Sequence, residues 1–338
     1  AMGSNTTGAN NVASGHDSMA ANTTGTENVA VGKSALAANT TGSYNISVGY
    51  NALDANTTGN NNVAIGRAAL TANTTADNNT GIGMSALEST TTGASNVAVG
   101  YRALTTQTTG ANNTAVGLDA LRLNTTGASN VAIGTTSLDA NTTGANNVSV
   151  GYNALTTNTT GGANTAVGFF TLANNSTGTM NTGLGSDALI DNTTGSYNTG
   201  LGPYALRRNT TGANNVAIGY LCLAANTTAS NNTAMGWQTL VTNTTGASNI
   251  AIGYQALYAN TTGLQNVAVG LQAMYSNTTG YNNVSMGHGA GTNNTTGIRN
   301  TFIGAHCQGT AVGTNDAIGI GYDIDAAGDY TTIGRETL

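Results

Sequence analysis

The stretch Asn209-Thr-Thr-Gly-Ala-Asn-Asn-Val-Ala-Ile-Gly-Tyr-Leu-Cys-Leu-Ala-Ala225 decides the fold, because almost the whole chain is made of copies of it. The glycine after the short apolar run recurs as Gly15, Gly32, Gly49, Gly66, Gly83 and Gly100, and so on to Gly287 and Gly304. Every step is 17 residues, with no insertion across 18 occurrences. So rigid a period puts each copy in an equivalent place of a stack, the signature of a solenoid. Places are counted from the Asn of Asn-Thr-Thr-Gly, Asn209 being place one and Ala225 place seventeen.

Place eight is Val, Ile or Thr (Val63, Ile250, Thr114), and place ten is mostly Val or Ile (Ile65, Val116, Ile252). Between them stands Ala, Gly or Ser, with Phe302 the exception. Alternation around β-branched residues reads as a strand. The small ninth residue predicts that the outer side of this strand meets another surface, with Val and Ile pointing into the coil. Place eleven is Gly in every copy, so the chain turns there with positive φ or runs against another backbone. Place fourteen is small (Ala52, Ala103, Ala154) and place fifteen is Leu or Met in all but the last two copies. These predict a second short strand whose Leu meets the Val and Ile inside. Asn-Thr-Thr-Gly suits a tight turn. Place seven is Asn in all 18 copies, and stacking would set these amides about 4.8 Å apart as a ladder. Two glycines and many β-branched residues per copy disfavour a helical solenoid. The expected fold is all-β: a parallel β-solenoid, or β-roll, of 17-residue coils.

Residues 1–4 read as a vector scar and residues 5–304 as the regular solenoid of 18 coils. After Gly304 the next equivalent glycines are Gly319 and Gly334, and the Asn-Thr-Thr-Gly corner disappears. Residues 305–338 are therefore expected to form altered 15-residue coils, a transition or a cap.

Only 7% of residues are charged, 47 are Gly and Pro203 is the single proline, a composition close to low complexity. Apolar residues at fixed places argue against disorder, which has no need of them. The net charge of −6 comes from 14 acidic and 8 basic residues spread thinly, with Arg207-Arg208 the only adjacent basic pair. No basic stripe exists to neutralise a phosphate backbone, so no nucleic-acid partner is expected. No apolar run is long enough to cross a bilayer, so no membrane insertion is expected either. Acids, bases and histidines occur singly in different coils, so the chain is read as non-enzymatic and without cofactor. Cys222 and Cys307 share place fourteen, five coils or roughly 24 Å apart, which predicts two buried free thiols. His288 and His306, and Asp323, Asp325 and Asp329, match no recognised metal-ligand spacing, so no metal is expected.

Asn-Val-Ala-Ile-Gly at 62–66 and 215–219 resembles the head repeat of YadA-like trimeric autotransporter adhesins. The tail from Asp316-Ala-Ile-Gly319 through Ala326-Ala-Gly-Asp-Tyr-Thr-Thr-Ile-Gly334 is similar as well. Related repeats with Thr-Thr-Gly corners occur in bacteriophage tail-fibre proteins. The resemblance covers almost the whole chain. It implies a parallel β-roll assembled as a homotrimer that projects an adhesive surface towards a cell-surface receptor or glycan. The implied location is extracellular, on a cell surface or virion. The period is longer than the usual head coil, and neither a heptad stalk nor a C-terminal membrane barrel is present.

Two surfaces are candidates for function. At place twelve, Tyr50, Tyr101, Tyr152, Phe169, Tyr220, Trp237 and Tyr254 fall on one line and are expected to be exposed. They would face a receptor or glycan, or pack into a neighbouring protomer. At places two and three, Thr57-Thr58, Thr142-Thr143 and Thr261-Thr262 form hydroxyl ladders. These raise an ice-binding alternative, although neighbouring strand residues point to opposite faces and turn chemistry also explains them.

Overall fold

The computed structural model describes residues 1–334, so the last four residues of the 305–338 segment lie outside the described residues. The chain divides into two compact units, residues 1–167 and the part beginning at Gly168. Each is a parallel β-solenoid of coils of about 17 residues, and no described residue is helical. In the first unit, three-residue strands at places eight to ten run from Val12–Ser14 to Thr165–Val167. Each residue lies opposite its own equivalent in the next coil, as Val63, Ala64 and Ile65 do with Thr80, Gly81 and Ile82. The second unit repeats this from Thr182–Leu184 to Thr301–Ile303. Ala1–Ser4 add part of a coil at the start of the first unit. Met2 takes φ 51 like Met19, and its N–H donates to Ser18 O as that of Met19 does to Ala35 O.

The strand faces the opposite way from the expectation. Ala64, Ala98 and Ala132 at place nine are fully buried, while Ile65, Ile133 and Ile250 at places ten and eight are about 40% exposed. The cause is the volume of the coil interior. Leu70 of place fifteen packs against the ninth residue of the next coil, where a Cβ on Gly81 would already lie 3.3 Å from Leu70 Cγ. One carbon, or a serine hydroxyl that finds a carbonyl, is what fits there. Ser47 Oγ donates to Ala52 O at 2.6 Å. The β-branched residues are left outside, where strand geometry still favours them.

The predicted second strand at places fourteen and fifteen is also corrected. Those residues lie in turns, although Leu36 N–H still donates to Ala52 O of the next coil. Left-handed backbone at places thirteen and fifteen, for example Ala68 (φ 57) and Leu70 (φ 53), breaks the extended run. Place six is left-handed too, and there Asn61 (φ 56) is a residue type that tolerates it. Gly66 of place eleven has φ 131, and a Cβ there would come within 2.6 Å of Gly83 O. Only glycine meets both conditions.

Polar order holds the coils together. The place-seven ladder forms as expected and is fully buried from Asn28 onward. Asn62 accepts the Asn79 N–H on its Oδ1 at 2.9 Å and donates to Ala76 O at 2.9 Å. A second ladder, read from the sequence only as a turn, runs through place one. Asn39, Asn56 and Asn73 each donate to the Oδ1 of the preceding copy at 2.8–2.9 Å. It is interrupted where Thr90 replaces Asn, leaving Asn73 Oδ1 and Thr90 Oγ1 buried without a partner. Thr90→Asn supplies the missing donor to Asn73 and a second one to Gly93 O. It is expected to stabilise the first unit by about 1–2 kcal/mol, read as a higher urea midpoint by circular dichroism.

The tail differs from the expected 15-residue coils. Ile303 lies opposite Ile320, still 17 residues on, and Ile320 lies opposite Ile333, which is 13 on. Gly321, with φ 144, is therefore the place-eleven glycine, and Gly319 occupies place nine. Gly319 belongs inside because a Cβ there would approach Cys307 Sγ to 2.6 Å. A second short pairing joins Gln308–Gly309 to Asp325–Ala326. Ala290, Phe302, Cys307, Ala317, Ile324 and Ala326 form one buried apolar cluster here.

Candidate assembly and binding surfaces

Three long surfaces follow from this coil. The first is the strand's outer face, which sequence reasoning turned inward. In the second unit it presents Ile218, Ile252, Met235 (43% exposed) and Leu184 (52%) at place ten beside Val216, Ile250 and Val267 at place eight. The first unit presents Val31, Ile65, Ile82 and Ile133 beside Val29, Ile46, Val97 and Val148. Place ten is apolar in every coil after Ser14, and place eight is Val or Ile in 11 of the 18 coils and Thr in the other seven, so each unit carries a largely apolar stripe. Monomeric proteins rarely leave such a stripe open to water. The signal was present in the sequence as the smallness of place nine in every coil but that of Phe302.

The second surface is place twelve, which is exposed as expected. In the first unit Tyr50, Tyr101 and Tyr152 are 49%, 40% and 49% exposed. The ammonium of Lys33 lies 5.7 Å from the Tyr50 ring and the guanidinium of Arg102 lies 4.8 Å from that of Tyr101. In the second unit Phe169 is exposed and meets Phe170 edge-on at 4.5 Å. Tyr220, Trp237 and Tyr254 form a row in adjacent coils with ring centroids 6.1 and 5.3 Å apart. Tyr204, a place-thirteen residue that sequence reasoning did not single out, extends that row at 6.0 Å from Tyr220. Tyr258 and Tyr275 at place sixteen form a separate stacked pair with ring centroids 5.0 Å apart.

The third surface is the threonine corner. Thr57, Thr142 and Thr261 at place two are half-buried and donate to the carbonyls of Thr74, Thr159 and Thr278 at 3.0–3.1 Å. Thr58, Thr143 and Thr262 at place three are exposed. The adjacent threonines thus part company: one rank stitches coils and the other faces solvent.

Charge is arranged between coils as well. Arg102 grips Asp119 at 2.8 and 2.7 Å, Arg122 grips Asp139 at 2.9 and 3.1 Å, and Arg299 grips Asp316 at 2.6 and 2.8 Å. The Arg299 guanidinium holds the Asp316 carboxyl below its usual range. The first two pairs are part-buried, whereas Arg299–Asp316 is exposed and fixes side chains more than it stabilises the fold. Cys222 and Cys307 are buried and free, as the sequence implies, and burial pushes the Cys222 thiol up to about 12. The rings of His288 and His306 meet edge-on at 4.8 Å. Among the described residues no group of three His, Cys, Asp or Glu side chains could hold a metal ion, and no helix is long and apolar enough to cross a membrane. Compared with known proteins, the chain matches no family model and no curated protein.

Proposed function

We propose that the chain is a structural fibre or adhesin shaft: a non-enzymatic homotrimer, outside the cell on a cell surface or virion, that attaches to a receptor or glycan. The observation that carries this reading is the largely apolar double rank on the strand's outer face, Val, Ile, Leu or Met at place ten beside Val, Ile or Thr at place eight. Burying it against identical chains removes the apolar stripe from water, at about 25 cal/mol per Å². Every coil offers the same two outward places, so a long interface needs only one repeated contact geometry. The place-twelve rings then remain outside as the attachment surface.

Changing Tyr101, Tyr152, Tyr220 and Trp237 together to Ser tests this reading. The circular dichroism spectrum and sedimentation coefficient are expected to stay unchanged while attachment of labelled protein to target cells falls at least tenfold, about 1.4 kcal/mol or more. Dissociation or unfolding of this variant would make the rings interface packing and end their attachment role. Ice binding is the competing use of so regular a surface. It is disfavoured because the place-two hydroxyls are already engaged with carbonyls, leaving one rank instead of a flat two-rank array. Thermal hysteresis that disappears in Thr58→Tyr and Thr143→Tyr would reverse that preference.

A further inference from the structure

The chain is acidic, and three of its cations are neutralised by carboxylates one coil away. Arg207 and Arg208 are different. Both are exposed, they are adjacent in sequence, and among the described residues no carboxylate lies within ion-pair distance of either. Asp191, which occupies the place of Arg208 one coil earlier, instead accepts the Asn174 side-chain amide at 3.3 Å. Arg207 and Arg208 line an open trough of about 220 Å³ whose other walls are Leu221, Ala224, Ala225 and Val241. Arg207 also lies over the Tyr204 ring at 5.3 Å, and Tyr204 begins the contiguous row Tyr220, Trp237 and Tyr254. Two uncompensated cations, an apolar trough and a run of exposed rings therefore meet in one place on the second unit.

Each part selects a chemistry. A guanidinium fork matches a carboxylate or sulfate with two parallel hydrogen bonds. Aromatic rings offer their faces to the C–H-bearing faces of pyranose rings. From Tyr204 to Tyr254 the rings cover three coil steps, about 14 Å, which suits a short oligosaccharide better than a single sugar. A nucleic-acid strand is disfavoured, because two cations beside the row make no basic track along a phosphate backbone. We infer that Arg207, Arg208 and the row Tyr220–Trp237–Tyr254 form a binding site for an acidic oligosaccharide. Its rings lie along the aromatic row and its carboxylate or sulfate sits between the two guanidinium groups. The inference deepens the attachment reading and rests on it for its biological use, but binding can be measured without cells.

Trp237 is the single tryptophan, so its emission reports on the row directly. The full chain is titrated with short oligosaccharides of hyaluronan (carboxylate only), chondroitin sulfate (carboxylate and sulfate) and maltose units (neutral), and with an oligothymidylate. At least one acidic saccharide is expected to shift Trp237 emission and to bind at least tenfold more tightly than the neutral one. The stronger of the two acidic ligands identifies the anion. The double variant Arg207→Ser/Arg208→Ser is expected to weaken that binding tenfold or more with an unchanged circular dichroism spectrum, and added salt to weaken it in the wild type. Equal binding of neutral and acidic saccharides, no saccharide binding, an unaffected double variant, or tighter binding of the oligothymidylate overturns the proposal. Wild-type attachment to cells alongside any of those results leaves the attachment reading standing with another receptor. Loss of wild-type attachment despite acidic-saccharide binding does the reverse.

Discussion

Asn130→Ala is expected to lower the stability of the first unit by about 2–5 kcal/mol, a far larger loss than any surface substitution in the same coil. The Asn130 Oδ1 accepts the buried Asn147 N–H at 2.9 Å, and its amide donates to Gly144 O at 2.9 Å. It also bonds to both neighbouring ladder members, donating to Asn113 Oδ1 at 3.2 Å and accepting from Asn147 Nδ2 at 3.1 Å. Alanine orphans the buried Asn147 N–H, at a cost of about 1–3 kcal/mol, and also removes one bond from Gly144 O, which keeps Asn141 Nδ2 at 2.9 Å, and one from each ladder neighbour. The neighbouring Ser129, at an exposed place-six position, provides the control: Ser129→Ala is expected to stay within about 0.5 kcal/mol. Urea unfolding followed by circular dichroism measures both. Similar midpoints for the two variants would mean that the ladder contributes little.

The second large effect lies where the repeat breaks its own rule. Phe302 is the one bulky residue at place nine, yet it is only 1% exposed. It fits because the preceding coil has Gly291 where Leu or Met normally stands. A Cβ on Gly291 would meet Phe302 Cδ2 at 3.2 Å and Met274 Cγ at 3.3 Å, and would run into Ser285 Oγ. Gly291→Leu therefore overpacks the core, with an expected loss of about 3 kcal/mol. Phe302→Ala leaves a cavity, with an expected loss of about 3–5 kcal/mol. Combined, the two restore the volume balance of a regular coil, so the double variant should be more stable than either single one. A double-mutant cycle from unfolding midpoints measures that coupling. Additive losses would show that the two residues do not share one space.

Much of this was legible in the sequence because the fold repeats. An invariant glycine at place eleven fixed the period, an invariant Asn at place seven implied a ladder, and variability at place twelve implied exposure. The direction of the strand was not legible from alternation, since a period of two says which residues share a face and not which face is inside. Size was the better guide. Ala, Gly and Ser at place nine mark an interior filled from the other side by Leu, whereas Val, Ile, Thr, Leu and Met interchange freely at places eight and ten because water or another chain tolerates any of them. The second amide ladder was hidden by its resemblance to turn chemistry, which also asks for Asn before Thr-Thr-Gly. In the tail, Ile-Gly at 318–319 imitates the end of a regular strand. Only the register, with Phe302 opposite Gly319, shows that this glycine lies inside. The Arg207-Arg208 pair was visible in the sequence, but the trough and ring row beside it depend on which side chains adjacent coils bring together.

The reading as a whole turns on the outward-facing β-branched ranks, and one measurement tests them most directly. Sedimentation equilibrium of the wild-type chain at micromolar concentration is expected to give the mass of three copies. Val131→Asp/Ile133→Asp, which puts two charges on that face in one coil, is expected to shift the distribution towards single chains without altering the circular dichroism spectrum. A wild-type chain that sediments as a monomer would contradict the account, because the apolar stripe would then be open to water with nothing of its own kind to cover it.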